Sequence, residues 1–426
     1  MNDSSKVAAI GLTPRYGALD RMLRLRLVDQ MRTLHESRLL FSDALGDATV
    51  GTPAAEPADT LAAHVRVHDP AFYRALAANG SVGAGEAYMD GLWDCDDLVA
   101  LVRMLVRNRD HLDAMETGLA RIGGYAMRAW NAMQRNTRAG SRRNVAAHYD
   151  LGNAFFRLFL SSDLMYSSAL FAREDESLDD ASARKLARIC AKLDPSPGDR
   201  VLEIGTGWGG FAIHAAREHG CHVTTVTISR EQYDLATERV AQAGLADRVT
   251  VLLRDYRDLE GRYDKLVSIE MVEAIGHQYL DTWTRRLMDL LAPDGLALVQ
   301  AITIEDHRYA KALRAVDFIK RYVFPGSFIP CVSALVSSFA RTGDFKLVNL
   351  EDIGTSYALT LKAWRERFLA RLPEVRAQGY DERFIRLWEY YLAYCEGGFR
   401  ERSIGTVQML LARPRNRRAA FVPEFP

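Results

Sequence analysis

The stretch VLEIGTGWGGFA, residues 201–212, decides the fold of this chain. An apolar run ends in an acid and is followed by four glycines within six residues, before a helix-like continuation. Glycines at a turn from a strand to a helix let the backbone approach a ligand, and the start of the helix offers unpaired N–H groups. The stretch therefore predicts a first strand, a ligand-binding loop and a first helix.

Two kinds of ligand suit such a loop. Gly205, Gly207 and Gly210 have the GxGxxG spacing of dinucleotide sites, which also need an acid at the end of the second strand. The second apolar run ends in TVTISREQ, without an acid at the strand end. The form ExGxGxG instead resembles the first motif of class I S-adenosylmethionine methyltransferases, and this is the interpretation that we favour. A tight turn without a ligand rarely needs so many glycines.

The rest of the C-terminal half has the pattern of an α/β sheet. Five apolar runs between residues 200 and 304 alternate with helical patterns of 10 to 15 residues. This alternation is typical of a doubly wound, mostly parallel, Rossmann-like sheet. FKLVNL (345–350) and TVQMLLA (406–412) supply two more predicted strands. The predicted fold class is α/β, of the class I methyltransferase type, with a small α+β domain before it.

Composition narrows the class of protein. Lys plus Arg and Asp plus Glu both number 55 in 426 residues, so the net charge is zero, which argues against an open nucleic-acid binder. The five cysteines form no CxxC pair, and we predict neither a disulfide framework nor a metal site. The sequence shows no secretion signal and no apolar run of about 18 residues. We therefore expect a cytoplasmic protein that meets a membrane only from its surface.

The N-terminal part has weaker patterns. GDATVGTPAAEPADTLAA (46–63) is typical of a loop, HVRVHD (64–69) alternates like a strand, and DPAFYRALAANG (69–80) predicts a helix that a glycine ends. DDLVALVRMLVRN (96–108) predicts an amphipathic helix. The predicted organisation is a poorly patterned segment 1–50, a small domain 51–123, a helix and linker 124–144, and a catalytic domain 145–426.

Several motifs in order identify a family. AAHYDLGNAFFRLFLSSDLMYSSALF (146–171) is followed by VTISREQ, DYRDL, EAIGH, IKRYVFPG and GFRERSIGTVQMLLAR. From about residue 64 onward the chain resembles the cyclopropane-fatty-acyl-phospholipid synthases, a family that includes mycolic acid cyclopropane synthases and fatty acid methylases. The resemblance implies transfer of a one-carbon unit from S-adenosylmethionine to the double bond of an unsaturated acyl chain in membrane phospholipids. It also implies that residues 51–123 help lipid binding and the pairing of two subunits.

The chemistry of this reaction constrains the site. An alkene attacks the sulfonium methyl without a base, provided that it is held in line and in dry surroundings. The resulting carbocation can be stabilised by aromatic faces. Loss of a proton from the new methyl carbon closes a cyclopropane ring, whereas loss elsewhere gives a methyl-branched or methylene-bearing alkene. Aromatic candidates for the cation site are Phe318, Tyr322, Phe324, Tyr357 and Trp364.

The resemblance also implies the base, which in this family is a bound bicarbonate. Its predicted site comprises Glu273 in SIEMVEAIGH, Tyr357 in GTSYALTL and a backbone group of Ile302, with Ser168 and Gln300 at positions where the best-known members have cysteine and histidine. Those two departures put ring closure in doubt. Ring formation is the main expectation, and branching, with a partner reductase if the product is methylene-bearing, is the alternative. A non-catalytic lipid-binding relative is a third hypothesis.

Glu270 occupies a position where many members have a small residue, and the sequence leaves its role open between cofactor contact and structure. For the cofactor, the third strand is followed by Asp255, which can accept from the adenine amine, and by Tyr256, which can stack on the adenine. The remaining cofactor residues implied by the resemblance are Tyr149, Tyr166, Ser167, Gly205, Gly207, Thr227, Ile228 and Gln232.

Two basic segments are candidates for contact with an anionic membrane. WNAMQRNTRAGSRRN (130–144) places four arginines beside an apolar stretch, although a solvated linker has the same pattern. KRYVF (320–324) is the second candidate. We therefore expect peripheral association with the inner face of the membrane.

Overall fold

A computed structural model of the chain describes residues 15–110, 112, 140 and 151–418. Contacts divide the chain into two units. The first comprises Met1–Gly123 and Glu382–Leu387, and the second comprises Gly124–Asp381 and Trp388–Pro426. No helix among the described residues is long and apolar enough to cross a membrane.

The first unit contains a four-stranded sheet with the strand order β2-β1-β3-β4. Strands β1 and β3 run parallel, and the other two pairs are antiparallel. The strands are β1 (Ser37–Asp43), β2 (Gly46–Val50), β3 (Leu61–Val67) and β4 (Trp93–Cys95). The helices of this unit are Ala18–Met31, Ala71–Met89 and Leu98–Arg107.

Two predictions for this unit are corrected. Residues 1–50, predicted to be poorly patterned, contain a helix and the β1–β2 hairpin, and β2 falls in the stretch predicted as a loop. Ser37, Leu39 and Phe41 are buried in alternation along β1. The sequence pattern is weak because the first of them is polar and the apolar Leu40 between the others is only half-buried. The helix predicted to end at Gly80 kinks there, with φ +56°, and continues to Met89. Glycine adopts this left-handed conformation readily, so the chain can bend without ending the helix.

The second unit contains a seven-stranded sheet with the order β10-β11-β9-β8-β5-β6-β7. Strands β5 to β9 are parallel, and β11 is antiparallel to both of its neighbours. This confirms the predicted sheet and both C-terminal strands. Their bounds are β5 (Arg200–Ile204), β6 (His222–Thr227), β7 (Val249–Leu253), β8 (Tyr263–Ile269), β9 (Leu291–Ile304), β10 (Lys346–Asp352) and β11 (Ile404–Ala412).

Helices cover both faces of this sheet. One apolar cluster packs Trp283, Leu335 and Phe339 against it, and the other packs Leu186, Phe211 and neighbouring side chains. The strand order reverses beside β5, and ligands of such sheets bind at the carboxyl ends of the strands near this point. The helices are Asn153–Phe156, Leu178–Leu193, Gly210–His219, Arg230–Gln242, Leu280–Leu290, Asp306–Arg314, Val332–Thr342, Gly354–Ala370, Leu372–Ala377 and Glu382–Arg400, with a π-helical turn at Ile319–Val323.

Candidate active site

The glycine loop leaves β5 and turns sharply into the helix Gly210–His219. Gly205 has φ +105° and Gly207 has φ +51°, conformations that side chains rarely allow. The backbone N–H groups of Gly205 and Thr206 both donate to the carbonyl of Val226, at 3.1 Å, which ties the loop to β6. Gly210 serves a different purpose, because a Cβ atom there would lie 2.6 Å from the sulfur of Met165. The loop therefore needs its glycines for both turning and close packing.

A cavity opens at the carboxyl ends of the strands, above this loop. Nine of the ten predicted cofactor residues line it. Tyr149, the tenth, lies outside the described residues. The lining also includes Glu270, Met271 and Trp208, which the sequence does not assign to the cofactor. The nine are Tyr166, Ser167, Gly205, Gly207, Thr227, Ile228, Gln232, Asp255 and Tyr256.

The end of β6 forms a neutral polar wall. The hydroxyl of Thr227 donates to the side-chain carbonyl of Gln232 at 2.7 Å, and Ser229 caps the following helix by accepting from the backbone N–H of Gln232. Among the described residues, this wall contributes Thr227, Ile228 and Gln232 to the cavity lining and no carboxylate. A dinucleotide would lack the acid that binds its ribose here, which favours S-adenosylmethionine.

The end of β7 contributes an acid and an aromatic ring. Asp255 is buried, and its carboxylate accepts from the guanidinium of Arg257 at 2.6 and 2.8 Å. The backbone N–H of Arg257 also donates to this carboxylate, at 3.0 Å, so the acid is anchored where it lines the cavity. Tyr256 lines the same cavity and has the Arg257 guanidinium 5.6 Å from its ring centroid. Both residues suit the adenine end of the cofactor.

A cluster of aromatic side chains packs around Tyr166. The Tyr166 ring lies 5.2 Å from Trp364 and 6.4 Å from Phe324, between ring centroids, and its hydroxyl is 2.9 Å from that of Tyr391. Tyr357 joins through Trp364, at 6.0 Å. Three of the five predicted aromatic residues are therefore together. The other two, Phe318 and Tyr322, pack on each other at 5.3 Å, with Phe318 against Tyr390.

Glu273 follows β8 and is held by the backbone group of Ile302 that the sequence analysis assigns to bicarbonate. Its Oε1 accepts from the backbone N–H of Ile302 at 2.5 Å. Its Oε2 is buried and has no hydrogen-bond partner among the described residues. Burial, with a smaller contribution from the charge of Glu270, raises the pKa of Glu273 to about 8. This carboxyl is therefore mainly protonated at neutral pH.

The other predicted bicarbonate ligands converge on Glu270. Its Oε1 accepts from the backbone N–H of Ser168 at 2.9 Å and from the amide of Gln300 at 2.8 Å. Its Oε2 accepts from the hydroxyl of Tyr357 at 2.8 Å. A bicarbonate held by the five predicted residues does not fit this arrangement, because three of the donors already bond a carboxylate of the chain itself. The sequence feature that could have indicated this role of Glu270 is an acid directly after an apolar strand.

Three elements fix these donors in place. Residues 168–171 are held by the helix Gly354–Ala370, whose Thr360 and Ser356 hydroxyls accept from the backbone N–H groups of Ala169 and Phe171 at 3.1 Å. Gln300, on β9, accepts from the amide of Gln408, on β11, at 3.0 Å. That bond turns the NH₂ group of Gln300 toward Glu270. Tyr357 is carried by the helix that holds the 168–171 segment.

Buried charges surround this group of residues. Lys185 is fully buried and donates to the Ser167 hydroxyl at 2.9 Å, and burial lowers its pKa to about 8. Burial raises the pKa of Glu270, opposed by its three hydrogen bonds and the charge of Lys185. Glu203, the acid that begins the glycine motif, accepts from the Thr225 hydroxyl at 2.6 Å, and burial raises its pKa to about 8.

The predicted membrane contacts are only partly described. Residues 130–144 lie outside the described residues, apart from Gly140. KRYVF does not present its lysine to a surface, because Lys320 is buried and donates to the carbonyls of Ala312 and Ala315 at 2.7 and 2.9 Å. The lysine caps the end of the helix Asp306–Arg314 instead.

The described residues contain no group of three His, Cys, Asp or Glu side chains placed to hold a metal ion.

Comparisons with known proteins identify the family of this chain. A sequence model of a family described as mycolic acid cyclopropane synthetase matches residues 136–409. The chain is 35% identical over 422 residues to the tuberculostearic acid methyltransferase UfaA1 of Mycobacterium tuberculosis, covering 96% of each chain. It is 36% identical over 374 residues to the cyclopropane-fatty-acyl-phospholipid synthase of Escherichia coli, covering 87% of this chain and 92% of that one.

Solved structures support the same relationship. The cyclopropane synthase MmaA2 from Mycobacterium tuberculosis matches with a TM-score of 0.60 and 30% identity, covering 64% of this chain and 98% of that one. The mycolic acid cyclopropane synthase CmaA1, complexed with SAH and CTAB, matches with a TM-score of 0.60 and 29% identity over 64% of this chain and 98% of that one. The chain is an S-adenosylmethionine-dependent methyltransferase with the class I fold, and it belongs to the mycolic acid cyclopropane synthetase family.

Proposed function

We propose that this enzyme transfers a one-carbon unit from S-adenosylmethionine to the double bond of an unsaturated acyl chain in a membrane phospholipid, and that it releases a branched product. The observation that carries this proposal is the cavity itself. Its walls combine the glycine loop, the neutral wall of β6 and Asp255 with the carboxylate of Glu270. A base and the predicted cofactor contacts thus face one space.

S-Adenosylmethionine supplies the electrophilic methyl group when it is bound. The residues that suit it are Gly205 and Gly207 beside its methionine part, and Asp255 and Tyr256 at the adenine. The aromatic cluster of Tyr166, Trp364 and Phe324 borders the cavity at Tyr166 and suits a cationic acyl chain, because aromatic faces attract cations.

The branched product follows from a competition within the cation. Ring closure needs loss of a proton from the new methyl before the charge moves. A 1,2-hydride shift instead moves the charge to the carbon bearing that methyl, and loss of the same proton then gives a methylene group. Each of the three hydrogen bonds to Glu270 lowers its pKa, against the larger effect of burial. Glu270 is therefore a weaker base than an unbonded carboxylate would be in the same place, which favours the shift. The relative UfaA1, matched over 96% of both chains, is named as a methyltransferase.

Ring closure is the second candidate, favoured by similarity to the Escherichia coli synthase. Purified enzyme with S-adenosylmethionine and vesicles of an unsaturated phospholipid separates the two. Both products are heavier than the substrate chain by one CH₂, but ozone cleaves a methylene group and spares a saturated ring. An ozone-labile product supports branching and calls for a hydride-donating reductase to reach a saturated methyl branch. An ozone-resistant product means ring closure, and a lack of any lipid product contradicts the proposed function.

We also propose that the first unit docks on the lipid surface and associates the enzyme peripherally with the membrane. The helix Ala18–Met31 supports this proposal. Leu19, Met22 and Leu25 are 52%, 41% and 65% exposed, and they recur every three residues along it. Arg21 and Arg26 are exposed on the same helix. Exposed apolar side chains among arginines suit the interface of an anionic bilayer. Pairing of two such units into a homodimer remains part of the proposal.

A further inference from the structure

We propose that Glu270 is the base that takes the proton from the cationic intermediate, in place of a bound bicarbonate. The inference rests on the one-carbon transfer proposed above. Its first support is position. Glu270 follows β8 at the carboxyl edge of the sheet and lines the cavity with the predicted cofactor residues. No described residue separates its carboxylate from the three donors predicted to hold bicarbonate, since it bonds each of them directly.

The hydrogen bonds define the form of this carboxyl group. Ser168 offers an N–H, Gln300 an amide N–H whose orientation Gln408 fixes, and Tyr357 a hydroxyl. All three groups donate hydrogen bonds to Glu270. An ionised carboxylate only accepts, so it is the form that matches these three donors. An ionised carboxylate is also the form that can accept a proton. The three donors come from separate elements and hold the side chain in one orientation.

The neighbouring charges support the same assignment. Lys185 is buried nearby, and its positive charge favours ionisation of Glu270. Glu273 is mainly protonated at neutral pH, so the site carries one carboxylate charge rather than two. Two neighbouring acids with different protonation states are typical of acid–base sites. Glu273 then positions Ile302 and contributes a neutral carboxyl beside the base.

The backbone gives independent support. Glu270 has φ +48°, in the left-handed region where residues other than glycine cost about 1–2 kcal/mol. Its backbone N–H donates to the carbonyl of Gln300 at 2.7 Å, which holds this conformation. A glycine would adopt it without steric strain, so the glutamate side chain is present here at a cost to the backbone. Such strain concentrates at functional sites.

The proposed step is a simple proton transfer. A C–H bond of the new methyl group breaks, and its electron pair forms either the C=C bond of a methylene group or the third bond of a ring. The proton forms an O–H bond on Glu270. After the product has left, the proton passes to water and the carboxylate is restored. The step needs no oxidant or reductant, and it needs no bicarbonate.

The experiment compares enzyme variants with and without bicarbonate, in buffers freed of carbon dioxide. Two quantities are measured: release of S-adenosylhomocysteine (SAH), the demethylated cofactor, and formation of the lipid product. The proteins compared are the natural enzyme, Glu270→Gly, Glu270→Gln and Glu366→Gln. Glu366 is a matched control, since it is exposed on the helix that carries Tyr357. Binding of S-adenosylmethionine, followed by calorimetry, shows whether each variant retains its cofactor site.

The natural enzyme is expected to turn over equally in both buffers. Both Glu270 variants should lose about 10²-fold or more without bicarbonate, the range for removal of a general base. Added bicarbonate should restore Glu270→Gly, because glycine frees the three donors and the space. It should not restore Glu270→Gln, whose amide still fills the site.

Two results would overturn the proposal: loss of turnover by the natural enzyme when bicarbonate is removed, or full turnover by Glu270→Gln. Both leave the one-carbon transfer intact, because SAH is still formed in the complete buffer. If the natural enzyme forms no SAH with any unsaturated phospholipid in either buffer, the proposed one-carbon transfer is contradicted. The proposed role of Glu270, which depends on that transfer, is then contradicted too. The result for the natural enzyme is decisive even if a variant fails to fold.

Discussion

The hydroxyl of Tyr357 donates to the carboxylate of Glu270 at 2.8 Å, across 87 residues of sequence. The bond joins the helix Gly354–Ala370 to the end of β8. It favours the ionised form of Glu270, and it raises the pKa of Tyr357 well above its usual value, after the larger effect of burial. Tyr357 is thus a positioning residue for the proposed base.

Tyr357→Phe should therefore change the pH dependence of catalysis. Loss of the hydrogen bond removes one of the interactions that lower the pKa of Glu270, so the acidic limb of kcat/KM moves to higher pH. Turnover at neutral pH should fall about tenfold, since a hydrogen bond to a charged group contributes about 1.5–3 kcal/mol. A pH–rate profile measures both effects. A lower rate with an unmoved limb would mean that the hydroxyl acts elsewhere.

Glu273→Gln should make the protein more stable in alkaline solution. The folded pKa of Glu273 is about 8 and the ordinary value is 4.5, so between these values the unfolded chain releases a proton that the folded chain keeps. Stability contributed by this group is present below about pH 4.5 and declines as the pH rises toward 8. Glutamine does not titrate, so the gain in Tm over the natural protein should grow across this range.

Calorimetric scans at several pH values test this expectation. Glu366→Gln serves as the control, because that side chain is 59% exposed. A constant difference in Tm between Glu273→Gln and the natural protein at all pH values would show that the carboxyl does not titrate in this window.

Two glycines of the loop should respond differently to alanine. A Cβ atom on Gly210 would lie 2.6 Å from the sulfur of Met165 and 2.9 Å from the carbonyl of Asp163, so Gly210→Ala should cost about 1–3 kcal/mol through overpacking. A Cβ atom on Gly207 meets nothing within 4 Å, so Gly207→Ala should cost about 1–2 kcal/mol through its φ of +51° alone.

Cofactor binding separates the two glycines further. The space beside Gly207 belongs to the cavity, so Gly207→Ala should weaken binding of S-adenosylmethionine more than its effect on stability suggests. Denaturant unfolding and calorimetric titration measure the two quantities. Unchanged affinity in Gly207→Ala would place the cofactor away from this part of the loop.

The exposed helix of the first unit should bind vesicles through its apolar side chains. Leu19→Gln with Leu25→Gln should reduce sedimentation with anionic vesicles and leave unfolding unchanged, because both side chains are exposed. Leu45→Gln is the matched control, being 37% exposed at the turn of the β1–β2 hairpin. Equal binding by the double variant and the control would move the docking surface to another part of the chain.

The sequence was most informative where apolar periodicity and motif order act together. All seven strands of the second unit were predicted, because buried strands of such a sheet form short apolar runs between helices. Ser168, Gln300 and Tyr357 were predicted to share one site, and in the structure all three donate to Glu270. Their common partner was not predicted, because contacts between segments 30 to 102 residues apart leave no local pattern in the sequence.

Elsewhere the sequence pattern did not show which side chains are buried. The buried positions of β1 alternate but include the polar Ser37, so the sequence shows no clear apolar alternation. Lys320, in a basic stretch, is buried against two carbonyls rather than exposed. The sequence shows the charge and hydrophobicity of each side chain, whereas its contacts depend on the fold. The aromatic partner Tyr391 was missed for the same reason, since it comes from a helix far from Tyr166 in sequence.

The amide pair of Gln300 and Gln408 has a consequence for synthesis of the protein. Gln408 lies on β11, the final strand in chain order, and it sets the direction of the amide that holds Glu270. A nascent chain can form β5 to β9 and the glycine loop before β11 has left the ribosome. Until then the amide of Gln300, one of the three donors to Glu270, lacks the bond that fixes its direction. Every described residue that lines the cavity precedes β11 in the chain, so this strand supports the proposed base rather than the cofactor site.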